Sequence, residues 1–73
     1  MRKSYQLENL DCAHCAAKME QEISRLPDVT KCTITFMTAR MSLTLPDGAD
    51  LEHILDQAQK VIHSHEKDCE IVR

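Results

Sequence analysis

The chain of 73 residues has no tryptophan, one tyrosine, one phenylalanine, one glycine and two prolines. Tyr5 and Phe36 are its only aromatics, which leaves almost nothing for nucleic-acid bases to stack on. Its formal net charge is −3, with acidic and basic residues interspersed, so no basic stripe marks a phosphate-binding face. Both absences argue against nucleic acid as a partner. No apolar run approaches the ~20 residues of a membrane span, and the Arg2-Lys3 start lacks the apolar core of a signal peptide. Linkers, low-complexity segments and internal repeats are also missing. Residues 1–73 therefore read as a single domain, without membrane insertion of this segment. At this size a fold buries roughly 60% of the surface its unfolded chain would expose, which leaves no surplus core.

What the chain does contain is cysteine. Four occur without an export signal, and in reducing surroundings paired cysteines more often serve metal or redox chemistry than disulfides. Cys12 and Cys15 form a CxxC pair, whereas Cys32 and Cys69 stand alone.

Hydrophobic spacing predicts six elements. Ser4 to Leu7 alternates as a short strand, and Asn9 to Cys12 is a loop. Ala16, Met19, Ile23 and Leu26 recur at helical spacing until Pro27 stops them. Cys32, Ile34 and Phe36 alternate with Thr33 and Thr35, and Met41, Leu43 and Leu45 alternate after a turn at Met37-Thr38-Ala39. Pro46-Asp47-Gly48 breaks that strand. Asp50 is placed to cap a second helix whose stripe is Leu51, Ile54, Leu55, Ala58, Val61 and Ile62. His63 to Asp68 reads as a polar loop, and Cys69 to Val72 as the last strand.

The order is β-α-β-β-α-β. Two amphipathic helices need a partner surface, and one face of a four-stranded antiparallel sheet supplies it. The expected fold is an α+β, ferredoxin-like βαββαβ sandwich with both helices on one face. Right-handed crossovers set its strand order as 4-1-3-2. Cys32 and Cys69 then lie on opposite sheet edges, about 14 Å apart at ~4.8 Å per strand. The limit for a disulfide is about 7 Å between Cα atoms, so the two cannot pair within one chain.

The stretch Leu10-Asp11-Cys12-Ala13-His14-Cys15 carries the chemistry. Two thiols on a turn entering a helix can converge on one ion, and the positive helix end favours thiolate over thiol. Two thiolates alone suit Cu(I). Asp11 adds a hard oxygen that Zn²⁺ accepts at about 2.0–2.2 Å and that Cu(I) does not need. The set Asp11, Cys12 and Cys15 therefore favours a divalent ion, Zn²⁺, Cd²⁺ or Pb²⁺. Three protein ligands leave one tetrahedral position open for exchange. A single CxxC also opposes a closed structural zinc site, which takes four protein ligands.

Blander roles compete at each position. Asp11 directly precedes a helix and could cap it, and it could do so in the apo state and coordinate in the metal state. Met19 and Met41 fall on apolar stripes and belong to the core. His14 points outward, and His53, His63 and His65 form no cluster. Glu66 reaches the thiols if the last loop lies beside the first. Cys32 and Cys69 serve as small packing residues.

At these residues the chain resembles the heavy-metal-associated domain of soluble metallochaperones and of heavy-metal-transporting P-type ATPases. The likeness covers the β-α-β-β-α-β order, Asn9-Leu10-Asp11-Cys12-Ala13-His14-Cys15, the following Ala16-Ala17-Lys18-Met19-Glu20 and the helix exit Leu26-Pro27-Asp28-Val29. Copper-handling members usually show Met-x-Cys-x-x-Cys, whereas Leu10 stands at the methionine position here and Asp11 at x. The Asp-Cys-x-x-Cys form resembles the zinc/cadmium/lead-exporting branch, and the tail Val61 to Ile71 is similar to that branch too. By this resemblance Cys12 and Cys15 match the family's thiolate ligands and Asp11 its third ligand. Asn9 occupies a position where relatives often carry glycine, and asparagine tolerates the same left-handed turn.

The resemblance implies a cytoplasmic metal-capturing domain at the N-terminus of a metal-exporting P-type ATPase, itself in the plasma membrane. Its partners would be the metal ion and the transmembrane metal site or other domains of the ATPase. The segment is expected to be monomeric unless a metal ion bridges two copies. No nucleotide loop or phosphorylatable Asp motif occurs, so no ATP hydrolysis is expected of it alone. The end of the chain at Ile71-Val72-Arg73, right after the last strand, suits an excised domain. Two other readings stand beside this one. A Cu(I) metallochaperone or copper-ATPase domain keeps the fold and changes the cargo. A thiol-disulfide oxidoreductase also opens a helix with CxxC, but this chain is short for that fold.

Overall fold

The computed structural model describes all 73 residues. Its elements are β1 (Arg2–Glu8), α1 (Ala13–Ser24), β2 (Lys31–Thr35), β3 (Arg40–Thr44), α2 (Leu51–His65) and β4 (Glu70–Val72). The strands form one antiparallel sheet in the order β2-β3-β1-β4, the 4-1-3-2 arrangement that the crossovers require. This is the ferredoxin-like sandwich expected from the sequence.

Register decides which side chains meet the helices. Tyr5 and Ile34 both pair with Met41, Cys32 pairs with Leu43, and Leu7 pairs with Ile71. All of these point to one face, against Ala16, Met19 and Ile23 of α1 and Ile54, Leu55, Ala58 and Ile62 of α2. The opposite face is polar, with Ser4 and Ser42 hydroxyls 3.1 Å apart across β1 and β3. Every buried residue is apolar or cysteine, so the interior holds no polar chemistry and any site must lie at the surface. Met19 and Met41 are fully buried, as their place on the apolar stripes predicts. Glu20 of α1 accepts the backbone N–H of Ile34 at 2.6 Å, which ties the helix to edge strand β2.

Several boundaries differ from the sequence expectation. β1 extends beyond Ser4–Leu7 at both ends, because Arg2 pairs with Thr44 and Glu8 with Glu70. Phe36 leaves the buried alternation and is 37% exposed. It opens the four-residue turn to β3, where Ala39 sits at φ 51° and its carbonyl accepts from Leu7 N–H at 2.7 Å. The expected loop from His63 starts later, since α2 continues through His65. The polar residues there are held as helix by contacts on both sides. His63 Nε2 lies 3.2 Å from a Glu70 carboxylate oxygen, and the His65 ring pairs with Glu22 of α1. β4 begins at Glu70, one residue past Cys69.

Candidate metal site

The site is built where α1 starts and α2 ends. Asn9 leaves β1 with φ 61°, a left-handed turn that asparagine tolerates better than most residues. The chain then enters α1 through Cys12, which is the N-cap (φ −129°, ψ 113°). Its sulfur accepts the backbone N–H of Cys15 at 3.2 Å, and its carbonyl accepts that of Ala16 at 3.0 Å. Asp11 stays exposed and does not cap the helix. No acidic residue occupies the first turn of α1, so its positive end is left to the thiols.

The two sulfurs differ in their hold on a proton. Cys12 is lowered from the usual thiol value, first by the hydrogen bond from the Cys15 thiol and then by that from the Cys15 backbone N–H. Cys15 is raised to about 11 because it donates to Cys12, is partly desolvated, and faces the negative charges of Cys12 and Glu66. Cys15 thus keeps its proton near neutral pH, and Cys12 is the sulfur that gives its proton up more readily.

Glu66 completes the cluster. It is the C-cap residue of α2, with its backbone N–H donating to Ile62 at 2.7 Å. A carboxylate oxygen of Glu66 and the sulfurs of Cys12 and Cys15 all lie within 4.8 Å of one another, and all three residues are half-buried. One ion can touch all three atoms. The donors are two thiolates and a carboxylate, a mixed soft and hard set.

Of the residues singled out in the sequence, Cys12 and Cys15 are brought together, and Asp11 and His14 stand exposed outside the cluster. Glu66 enters it because 4-1-3-2 topology lays the α2–β4 loop beside the β1–α1 loop. Its position in the polar stretch after α2 carries no local signal of that kind. Cys32 and Cys69 are buried free thiols flanking the sheet at its two edges. Burial, then the charge of Glu20, pushes Cys32 up to about 12. Burial pushes Cys69 up to about 11, aided by Glu66, Glu70 and Asp11. Neither has the character of a ligand. The surface cleft lined by Leu26, Pro27, Asp28, His53, Ile54 and Gln57 lies at the other end, between the C-terminus of α1 and the start of α2.

A βαββαβ sandwich with a half-buried dithiol at a helix start defines a small domain that binds a heavy-metal ion. The family model of the heavy-metal-associated domain matches residues 4–68, and the chain belongs to that family. It is similar to a cadmium, zinc and cobalt-transporting ATPase of Helicobacter pylori, with 36% identity over 52 residues. That match covers 71% of this chain and 7% of the ATPase. A cadmium, zinc and cobalt-transporting ATPase of Bacillus subtilis matches at 23% over 64 residues, covering 88% of this chain and 9% of the ATPase. The chain thus spans less than a tenth of the length of these relatives. Among solved structures, the yeast copper transporter domain Ccc2a superimposes with a TM-score of 0.70 and 24% identity. There the alignment covers 99% of this chain and 94% of the other, and establishes the common fold. No helix is long and apolar enough to cross a membrane.

Proposed function

We propose that the chain captures a divalent ion, Zn²⁺ or Cd²⁺ and by the same chemistry Pb²⁺, through Cys12, Cys15 and carboxylate oxygen. The observation that carries this reading is the Glu66 carboxylate lying beside the two sulfurs. An oxygen donor adds little for Cu(I), whose preferred environment is two thiolates and whose site it would take to a charge of about −2, but it fills a coordination position on a divalent ion at about −1. We assign Asp11, next to Cys12 in sequence, as the further carboxylate donor that an arriving ion recruits.

The domain would belong to the cytoplasmic N-terminal part of a metal-exporting P-type ATPase. The names of the two relatives, both cadmium, zinc and cobalt-transporting ATPases, support a place in a metal-transporting ATPase. Capture would occur at the exposed end of the sandwich, and exchange with donors of the transporter would proceed through the most weakly held position, that of Asp11. Catalysis would reside in other domains.

Competitive titration tests the ion assignment. Glu66→Gln and Asp11→Ala should each weaken Zn²⁺ and Cd²⁺ by about tenfold, the loss expected when a charged donor is withdrawn. Cu(I) affinity should stay within about twofold of the unsubstituted chain. Equal losses for both kinds of ion, or none for either, would remove the specificity argument, and no loss for either would favour the Cu(I) chaperone reading, in which only the dithiol matters.

A further inference from the structure

The three clustered atoms come from the start of α1 and the end of α2, and one side chain directly joins the loops that adjoin them. Asn9 Nδ2 donates to the backbone carbonyl of Asp68 at 3.0 Å. Asn9 precedes the CxxC pair in the β1–α1 loop, and Asp68 follows Glu66 in the α2–β4 loop.

Other ties act on the same segment: His65, just before Glu66, pairs with Glu22 of α1, and Glu70 pairs with Glu8 of β1. Glu66 N–H to the Ile62 carbonyl and Cys69 N–H to the Glu66 carbonyl are internal to α2 and its exit. Gln59 clamps the returning chain to α2, donating to the Cys69 carbonyl at 3.0 Å and accepting from Ile71 N–H at 2.8 Å. The β1–β4 ladder ends at the Glu8–Glu70 pair. These bonds shape and anchor the α2–β4 loop, and Asn9 adds the side-chain tie that runs straight to the loop entering the thiols. The left-handed backbone at Asn9 alone would be served as well by glycine. The amide donor is what glycine lacks.

We propose that Asn9 is a positioning residue for divalent-ion binding, its amide holding the α2–β4 loop so that the Glu66 carboxylate stays beside Cys12 and Cys15. The inference rests on Glu66 being a ligand. An ion held by two thiolates alone does not use that loop, so Asn9 contributes to selectivity and not to thiol affinity as such.

Two substitutions isolate the amide. Asn9→Gly keeps the backbone conformation and removes the donor, while Asn9→Asp keeps size and turn tolerance and exchanges the donor for an acceptor. Zn²⁺ and Cu(I) affinities of each would be measured by competition, alone and combined with Glu66→Gln. Both Asn9 variants should lose about three- to tenfold in Zn²⁺ affinity, the scale of one net hydrogen bond. Cu(I) affinity should not change, and Asn9→Gly should add nothing once Glu66→Gln is present. Equal losses for Zn²⁺ and Cu(I), or an additive loss in the Glu66→Gln background, would reduce Asn9 to a general prop for the fold and overturn the proposal. Unchanged Zn²⁺ affinity in both Asn9 variants, with Glu66→Gln impaired, would overturn it while leaving the ligand set standing. No loss from Glu66→Gln would overturn the ligand set and this inference together.

Discussion

The two helices begin with the same hydrogen-bond pattern and different atoms. At α2, Asp50 Oδ1 accepts the N–H of His53 at 3.2 Å, and the Asp50 carbonyl accepts that of Ile54 at 3.0 Å. At α1, Cys12 Sγ accepts the N–H of Cys15 at 3.2 Å, and the Cys12 carbonyl accepts that of Ala16 at 3.0 Å. The start of α2 is further complemented by Glu52 in its first turn, whereas α1 has no acidic residue there. A carboxylate is the stronger cap, and α2 has one. Sulfur is a poor acceptor, but it binds soft ions and can be surrendered to one. The α1 terminus thus trades capping strength for a group that can bind cargo, and leaves its positive end to stabilise thiolate.

Removing the sulfurs breaks the comparison most severely. Cys12→Ser and Cys15→Ser should each lower affinity for Zn²⁺, Cd²⁺ and Cu(I) by at least about a hundredfold, above the 10–100-fold typical of groups that only orient a ligand. Competition against a chelator of known affinity measures it, and a loss confined to one ion would mean that the thiols do not act together.

Proton release comes next. Cys12 is lowered and Cys15 is raised to about 11, so the apo pair carries at least one proton near neutrality. A metal ion needs both as thiolates and must displace it. Affinity should therefore rise at least about tenfold per pH unit between pH 7 and 8, with at least about one proton released per ion. Calorimetry in buffers of different ionisation enthalpy reads that proton, and heats independent of buffer would show both thiols already ionised. The interior cysteines give the opposite trend for stability. Cys32 and Cys69, held at about 12 and about 11, keep their protons in the fold after an unfolded chain, with thiols near 9.0, has begun to lose them. Stability is then fully present below pH 9.0 and falls as pH rises toward 11 and 12.

The caps themselves supply the smallest effects. Asp50→Ala should cost about 1 kcal/mol of stability and leave metal affinity intact. Cys12→Asp should do the reverse, raising the apo melting temperature while abolishing tight binding. Thermal melts with and without Zn²⁺ separate the two, and a lower melting point for apo Cys12→Asp would refute the weak-cap description of α1.

Much of this arrangement was legible in the residues. Alternation at Cys32, Ile34, Met41 and Leu43, and helical spacing at Ala16, Met19, Ile23, Ile54, Leu55, Ala58 and Ile62, are direct images of a buried face. Strand order followed from crossover handedness. What failed to show locally depended on contacts between distant segments. The last turn of α2 is polar, and His65 is held there by Glu22 across the helix pair, which periodicity cannot express. Phe36 continues an alternating pattern, yet the turn to β3 takes it. Asp11 and Cys12 are both able to cap a helix, and a shift of one residue decided which does. Glu66 was legible only as a consequence of topology, because nothing beside it in sequence distinguishes it from other acidic residues of the tail.

Carboxylate coordination is most directly read from the side-chain carboxyl ¹³C resonances of Glu66 and Asp11 as metal is added. On loading with Zn²⁺ or Cd²⁺ the Glu66 resonance should shift in step with the β-carbons of Cys12 and Cys15, with Asp11 following, whereas on Cu(I) loading only the cysteine signals should move. Cysteine shifts with both carboxyl signals unmoved under Zn²⁺ would contradict a mixed oxygen and sulfur site, and with it the preference for a divalent ion.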